Sequence, residues 1–281
     1  MLPFISIGTF TIATYGLMIL VGILCGMLLL WLRARHKHYP VQDALFGFFY
    51  SILGAVVGGK LFYLAQTLPQ IVTYWHTIIT QPALIMGFLT GGFVFYGSLI
   101  GGFLGALIYA KQFHLPFIPL IEMLIPAVPL IHGFGRIGCF LTGCCYGIPY
   151  NGPFSVTFTL SQVAPLGIPL FPVQLLESAL LFLLAAFLLI YDVRVKRPRS
   201  LVGCYLLGYG VIRFITEMFR GDAVRGSLWV LSTSQWLSLV GIIVGIILLV
   251  RLRIPPRSER TPGPARTPLP PQGSSEEGPL A

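Results

Sequence analysis

Three positively charged side chains lie inside otherwise apolar stretches of the sequence: Lys60, Arg136 and Arg213. A charged side chain near the centre of a bilayer costs at least about 2.5–3.5 kcal/mol, so each requires a salt-bridge partner, a water-filled cavity or a bound anion. Lys60 lies towards one end of its stretch, where its long side chain can reach the lipid headgroups. Arg136 and Arg213 are therefore the stronger candidates for anion binding.

Arg213 belongs to a set of four polar residues that share one helical face. Tyr209, Arg213, Glu217 and Arg220 recur at i, i+4, i+8 and i+11, which is the spacing of one side of an α-helix. Glu217 can neutralise only one of the two arginines. We therefore expect the other arginine to remain available to a ligand anion, and a phospholipid phosphate is the abundant anion at that depth.

Arg136 lies in a glycine-rich stretch from His132 to Gly147, which also contains three cysteines. Glycines let the backbone bend and approach a ligand closely, and helix breaks at membrane depth are tolerated only where they line protein or a cavity. His132 precedes Arg136 by one helical turn. Two interpretations of His132 stay open, a hydrogen-bonded packing residue and a general base.

Cys139, Cys144 and Cys145 cluster in the same stretch. Four interpretations remain: a zinc site, which lacks the usual paired spacing of ligands; a disulfide, if the loop faces an oxidising compartment; plain packing in a glycine-rich turn; and a reactive thiol. Packing is the simplest of the four, so we predict no metal and no cofactor. Cys25 and Cys204 lie in apolar stretches and are expected to be small core residues.

The elements that position these side chains are predicted to be membrane-spanning helices. The chain is 56% hydrophobic and only 10% charged, with a mean hydropathy of +0.85. Soluble proteins carry about 25% charged residues, which excludes a soluble enzyme. The net charge of +9 comes from basic residues beside the apolar runs rather than in one patch, so we expect a lipid bilayer and no nucleic acid as partner.

Several apolar stretches approach the roughly 20 residues needed to cross a bilayer, which predicts an all-α polytopic membrane protein of about seven helices. The predicted spans are residues 10–32, 43–67, 84–110, 117–140, 172–192, 201–220 and 231–250. The fourth is interrupted by Glu122, Pro126 and Pro129. Residues 1–253 are predicted to form the membrane domain, and residues 254–281, rich in Pro, Ser, Arg and Glu, a disordered cytoplasmic tail.

The basic residues also predict an orientation. With the N-terminus outside, the segments assigned to the inner side hold thirteen Lys and Arg residues, and those assigned to the outer side hold only Arg220 and Arg225. Cytoplasmic loops carry the excess of Lys and Arg in membrane proteins. We therefore expect the N-terminus outside and the C-terminus in the cytoplasm.

The motifs around these residues resemble those of the prolipoprotein diacylglyceryl transferase family over nearly the whole chain apart from its tail. The glycine-rich stretch matches the family signature, which begins Gly-Arg-x-Gly, here from Gly135 through Gly147. Further motifs agree in order and spacing: Tyr15-Gly16, Gly58-Gly59-Lys60-Leu61-Phe62-Tyr63, Phe95-Tyr96-Gly97-Ser98-Leu99-Ile100-Gly101, Phe171-Pro172-Val173-Gln174-Leu175-Leu176-Glu177, and the face from Tyr209 to Asp222.

The resemblance implies a bacterial inner-membrane enzyme that moves the diacylglyceryl group of phosphatidylglycerol to the lipobox cysteine of a prolipoprotein, with release of glycerol-1-phosphate. Such a reaction needs a base for the thiol and cations on the leaving phosphate. We therefore expect catalytic roles for Arg136, Arg213, His132 and Tyr96. The predicted substrate-binding residues are Tyr15, Gly97, Gly135, Gly138, Gly147, Gln174, Tyr209, Glu217 and Arg220.

This chain departs from the family pattern at three positions. Tyr96 stands where the third-span motif usually has a histidine, and Cys139 and Cys144 stand where the signature usually has an asparagine and a glutamate. Two alternatives therefore remain beside the transferase: a diverged member that uses another acceptor, and a non-catalytic phospholipid-binding protein or transporter. A transporter would show internal repeats, and the segment around Arg213 does not repeat the layout around Arg136.

Overall fold

A computed structural model describes residues 3–7, 10–81, 84, 86–88, 92–161, 163–195, 200–222 and 227–251. Arg225 and the tail predicted at residues 254–281 lie outside this part of the chain. Within it the architecture is mostly helical. The helices are α1 Thr14–His36, α2 Val41–Thr73, α3 Trp75–Thr80, α4 Phe95–Gln112, α5 Phe117–Leu124, α6 Ala127–Thr142, α7 Val173–Arg194, α8 Ser200–Glu217 and α9 Thr233–Arg251.

Three small antiparallel hairpins accompany the helices. They pair β1 Phe4–Ile7 with β2 Phe10–Ala13, β3 Val156–Thr157 with β4 Pro169–Leu170, and β5 Ser227–Leu228 with β6 Leu231–Ser232. The first hairpin corrects the predicted first span, because α1 begins at Thr14 rather than at residue 10. Residues 10–12 are Phe, Thr and Ile, which favour strands, and pairing with β1 satisfies their backbone.

The chain is a multi-pass membrane protein. Among the described residues, five segments are long and apolar enough to cross a bilayer: Thr14–His36, Val41–Thr73, Phe117–Thr142, Val173–Arg194 and Thr233–Arg251. The predicted sixth span falls on α8. The predicted third span, residues 84–110, falls only partly on α4, because that helix begins at Phe95. Both helices have 18 residues and are not among those five. The all-α membrane fold is confirmed, and the count of seven crossings stays a prediction.

The predicted interruption of the fourth span is present. Helix α5 ends at Leu124 and α6 begins at Ala127. Pro126 lies between them, and a proline ring removes a backbone donor and clashes with the preceding turn. Glu122 and Pro129, which were also predicted to interrupt this span, lie within α5 and α6 and do not end either helix. Pro129 lies in the first turn of α6, where backbone N–H groups have no helical partner in any case.

Glycines bring α2 and α4 into close contact. A Cβ atom added to Gly58 would lie 2.3 Å from the carbonyl oxygen of Gly97, and one added to Gly101 would lie 2.1 Å from that of Gly54. Small residues let membrane helices approach in this way. Gly101 therefore serves the packing of α2 against α4. Gly97 faces the same helix, so close packing already accounts for it, and its predicted role in substrate binding stays a prediction.

The Lys60 side chain on α2 contacts other parts of the protein. Its Nζ donates a hydrogen bond of 2.7 Å to the carbonyl oxygen of Phe88 and lies 4.8 Å from the centre of the Tyr63 ring. Both contacts favour the ammonium without a lipid headgroup. A backbone carbonyl and an aromatic ring of the protein therefore satisfy this cation.

A buried ion pair joins the C-terminal ends of α1 and α7. Arg33 Nη2 lies 2.7 Å from Asp192 Oδ2, and Lys37 Nζ lies 2.5 Å from Asp192 Oδ1. Arg33 also donates to the carbonyl oxygens of Glu122 and Met123, just before the break between α5 and α6. These contacts hold three helical segments together at one end of the bundle. The N-terminal ends of α1 and α7 consequently lie at the opposite end.

Candidate active site

At that opposite end, a single carboxylate lies between two arginines from different helices. Glu177 Oε1 of α7 lies 3.0 Å from Arg136 Nη2 of α6, and its Oε2 lies 3.6 Å from Arg213 Nη1 of α8. The Glu177 side chain is only 1% exposed. A buried, unpaired charge is strongly unfavourable, so the three side chains stabilise one another. Arg136 and Arg213, proposed separately from sequence, are thus brought together.

The other two members of the polar face on α8 form separate ion pairs. Arg213 Nη2 lies 2.5 Å from Glu217 Oε2, and Arg220 pairs with Asp222 through two hydrogen bonds of 3.0 and 2.8 Å. The expectation that one of these two arginines lacks a carboxylate is therefore wrong. The periodicity of one helix reveals only the charges on that helix, whereas Glu177 comes from α7 and Asp222 from the turn after α8.

Each of the three arginines nevertheless keeps one buried nitrogen without a hydrogen bond in the part of the chain that the structure describes. These atoms are Arg136 Nε, Arg213 Nη1 and Arg220 Nη1. Buried donors are nearly always satisfied in native proteins, and each exception calls for an explanation. Three such donors on positively charged groups are suited to the oxygens of an anion that enters the site.

Tyr96 is linked to this cluster through a residue that the sequence reasoning missed. Ser234, in the first turn of α9, accepts a hydrogen bond of 3.1 Å from Arg213 Nη2, and its Oγ lies 3.5 Å from the Tyr96 hydroxyl. Ser234 therefore lies between Tyr96 and Arg213 and contacts both. A serine in a membrane helix is unremarkable by itself, so no signal in the sequence pointed to Ser234.

His132 and Tyr209 lie against each other on α6 and α8. Their ring centres are 5.4 Å apart in an edge-to-face arrangement, and Tyr209 stacks on Tyr205 at 5.8 Å. His132 is one turn from Arg136, so it faces the same region between the helices. The structure is compatible with both interpretations of His132, and its role as a base stays a prediction.

The glycines predicted to bind substrate serve helix and loop contacts. A Cβ atom on Gly138 would meet Tyr15 at 3.0 Å, and one on Gly135 would meet Ile19 at 3.1 Å, so both allow α1 to pack on α6. A Cβ on Gly147 would lie 2.2 Å from the Phe171 carbonyl oxygen. These contacts pack Tyr15 against α6 and the loop after α6 against Phe171, and any direct contact with substrate stays a prediction.

The three clustered cysteines surround the end of α6. Helix α6 terminates at Gly143, whose φ of 76° is the left-handed conformation that glycine adopts without strain. Cys139, Cys144 and Cys145 are not joined by disulfides, and their Sγ atoms all lie within 4.8 Å of one another. Hydrogen bonds from Cys139 and Cys144 lower the pKa of Cys145, and the positive charge of Arg220 acts in the same direction.

Gln174 holds this cysteine loop in place. Its Nε2 donates a hydrogen bond of 2.9 Å to the carbonyl oxygen of Cys144. Gln174 and Glu177 lie at i and i+3 near the start of α7, so one helix face contacts both the thiols and the arginines. Glu177 belongs to one of the family motifs, but the sequence analysis does not predict it as a site residue. The signal was available, since a carboxylate in an apolar helix needs a partner as much as an arginine does.

Comparison with known proteins finds relatives that match most of the chain. The family model described as prolipoprotein diacylglyceryl transferase matches residues 3–251. The chain is 41% identical to a phosphatidylglycerol–prolipoprotein diacylglyceryl transferase of Clostridium tetani, over 83% of this chain and 90% of that protein. A second enzyme of that name, from Clostridium perfringens, is 37% identical over 84% and 90%. One from Nitrosospira multiformis is 33% identical over 88% and 84%.

Proposed function

Because the chain belongs to the prolipoprotein diacylglyceryl transferase family, we propose that it transfers the diacylglyceryl group of phosphatidylglycerol to the lipobox cysteine thiol of prolipoproteins. Glycerol-1-phosphate is the leaving product. The observation that carries the proposal is the buried arrangement of Arg136 and Arg213 on the two oxygens of Glu177. It brings two guanidinium groups, both paired with carboxylates, to one point inside the bundle.

The arginines receive the phosphate of the lipid. Arg136 Nε, Arg213 Nη1 and Arg220 Nη1 donate to its oxygens, since these nitrogens have no hydrogen bond within the described chain. Donors that are already oriented need no reorganisation when charge develops on a leaving group, and they act strongly where water is excluded. The carboxylates Glu177 and Glu217 hold the guanidiniums in position, which makes them positioning residues.

The chemical step replaces one bond to a glycerol carbon with another. The substrate thiol loses its proton, its sulfur attacks the carbon, and the C–O bond to phosphate breaks with its electron pair moving to the phosphate oxygen. His132 and Tyr96 are the two proposed groups for proton transfer or hydrogen bonding in this step. Tyr96 is joined to Arg213 through Ser234, and His132 lies one turn from Arg136, so both lie near the proposed phosphate position.

The location of the site fits a reaction at the outer face of a bacterial inner membrane. Arg33 and Lys37 lie at the end of α1 opposite to Tyr15, and Lys and Arg are enriched on the cytoplasmic side of membrane proteins. With that end in the cytoplasm, Arg136 and Glu177 lie towards the outer side, where secreted lipoprotein precursors arrive. This orientation places the N-terminus outside.

Reconstitution of the purified chain in lipid vesicles tests the proposal. A lipobox peptide should gain the mass of a diacylglyceryl group in phosphatidylglycerol vesicles but not in phosphatidylethanolamine vesicles, and glycerol-1-phosphate should appear in equal amount. A peptide with Ser in place of its Cys is the control. Binding of phosphatidylglycerol without any modification of the peptide would reject the transferase and support a lipid-binding protein instead.

A further inference from the structure

The thiols at the end of α6 form a compact group whose chemistry the transfer reaction described above does not use. Cys139, Cys144 and Cys145 have Sγ atoms that all lie within 4.8 Å of one another. Zn–S bonds of about 2.3 Å in a tetrahedral site separate the sulfurs by about 3.8 Å. Small side-chain rotations therefore bring these three sulfurs to zinc-binding distance.

The backbone around the thiols is held by hydrogen bonds, one within the loop itself and one from helix α7. The Cys144 N–H donates to the Cys139 carbonyl oxygen at 3.0 Å, and Gln174 holds the Cys144 carbonyl oxygen. Thr142 Oγ1 lies 3.5 Å from Cys144 Sγ. In metal sites, contacts of this kind orient the side chains that coordinate the ion.

The thiols also lie beside the proposed phosphate site. Cys139 follows Arg136 by one helical turn on α6. Two residues beyond Cys145, Gly147 pairs with Arg220 in an isolated bridge. Three thiolates and one Zn²⁺ carry a net charge of −1, and the neighbouring arginines compensate such a charge at short range. A metal ion here would lie next to the atoms that the transfer reaction joins.

We propose that Cys139, Cys144 and Cys145 bind a Zn²⁺ ion whose fourth coordination position receives the lipobox thiol of the prolipoprotein. Catalytic zinc sites have three protein ligands and an open position. A thiol that coordinates zinc is deprotonated outright, so the acceptor arrives as a nucleophile without a strongly basic side chain. This accounts for a family member with tyrosine at position 96. The proposal replaces the sequence-based prediction that the clustered cysteines bind no metal, because their Sγ atoms lie close together, and it rests on the proposed transferase function.

The balance of the step is simple. The acceptor thiol releases its proton to water on binding zinc, and its sulfur then forms the C–S bond while the C–O bond to the phosphate breaks. The electron pair of that bond leaves with glycerol-1-phosphate, opposite Arg136 and Arg213. The product sulfur is a thioether, which is a weaker ligand than a thiolate. The modified peptide can therefore leave the metal.

Metal binding is measured first, without turnover. We expect the full chain, purified in detergent under reducing conditions and incubated with Zn²⁺, to retain about one zinc per chain after dialysis. Cys139→Ser, Cys144→Ser and Cys145→Ser should each lose most of that zinc, and Cys25→Ser, on α1 away from the cluster, should retain it. Equal zinc retention in the wild-type protein and a variant with all three serines would overturn the proposal, as would no retention in the wild-type protein.

Substitution of Co²⁺ for zinc tests the fourth position. The Co²⁺ protein should show a thiolate charge-transfer band in the near ultraviolet. Addition of a lipobox peptide without phosphatidylglycerol should raise that band by about a third, as three thiolates become four. The peptide with Ser in place of its Cys should leave the band unchanged. An unchanged band with the Cys peptide would overturn the role assigned to the open position.

Transfer assays separate the two proposals. Zinc retention together with an absence of any peptide modification would reject the transferase and leave the metal site standing. Full transfer by a protein shown to be free of zinc would reject the zinc-bound acceptor and leave the transferase standing. Loss of transfer on zinc removal, with recovery when Zn²⁺ is returned, is the result that we expect.

Discussion

Glu177 Oε1 lies 3.0 Å from Arg136 Nη2 in the interior of the bundle, although the two residues are on different helices. The same carboxylate faces Arg213 from its other oxygen. The orientation of both guanidiniums therefore depends on one buried side chain. Loss of the Glu177 charge should affect both arginines at once.

Glu177→Gln is expected to lower kcat/KM for transfer by about 100-fold, because a displacement of about 1 Å in a positioning group costs that much. Glu177→Asp, which keeps the charge, should recover part of the loss. If Glu177 acts through Arg136, the double variant Glu177→Gln, Arg136→Gln should be little worse than Arg136→Gln alone. Additive losses, measured in the vesicle assay, would argue for independent roles.

Arg136→Lys and Arg213→Lys should fail almost as badly as the alanine variants, because a point-charge ammonium does not reproduce the planar fork of a guanidinium. Loss of a charged hydrogen bond at the transition state costs roughly 2–4 kcal/mol, or about 30- to 1000-fold in rate. Arg35→Lys, at the exposed end of α1, is the matched control and should retain its rate. Near-normal rates in the two site lysine variants would contradict phosphate binding by these arginines.

His132→Gln and Tyr96→Phe distinguish the two candidates for the proton-transfer role. Glutamine keeps much of the volume and hydrogen bonding of histidine but cannot act as a base, so turnover should disappear while phosphatidylglycerol still binds if His132 is the base. Tyr96→Phe removes only the hydroxyl that contacts Ser234. We expect at least one of the two variants to lose transfer activity while it still binds phosphatidylglycerol. Near-normal transfer in both would leave deprotonation of the acceptor to another group.

The ion pair at the other end of the bundle should affect stability rather than chemistry. Asp192→Asn removes the charge that compensates buried Arg33, and such a loss costs about 3–5 kcal/mol of unfolding free energy. Lys37→Gln breaks a more exposed pair, with the lysine side chain 35% exposed, and should cost less than about 1 kcal/mol. Denaturant unfolding in detergent measures both. Equal losses would show that burial does not set the strength of this network.

The orientation can be tested with reporters at two positions. A reporter that is active only in the cytoplasm should work at the C-terminus. One that is active only outside should work when inserted at Trp229, which is 92% exposed between the two strands of the last hairpin. Activity of the reverse pair would invert the orientation predicted from the basic residues.

The membrane helices, the break before α6 and the charged residues of the site can be predicted from local sequence. Apolar length predicts membrane helices because an unsatisfied backbone is too costly in lipid, and Pro126 predicts the break before α6. Arg136, Arg213 and the polar face on α8 were identified because charges within apolar runs require partners. The sequence does not predict that α1 starts at Thr14. Residues Phe10–Ala13 are mostly apolar, like those of the helix that follows, and it is their pairing with β1 that makes them a strand.

The partners of these charges were decided by the tertiary structure alone. The periodicity of α8 reveals which residues share its face, but Glu177, Asp222 and Ser234 come from other segments, and no spacing within one helix relates them to Arg213 or Arg220. The physical reason is that the energy of an ion pair depends on distance in space and on burial, and both are set by how helices pack. Sequence therefore identified the cations, and packing determined which anions meet them and which nitrogens are left for a phosphate.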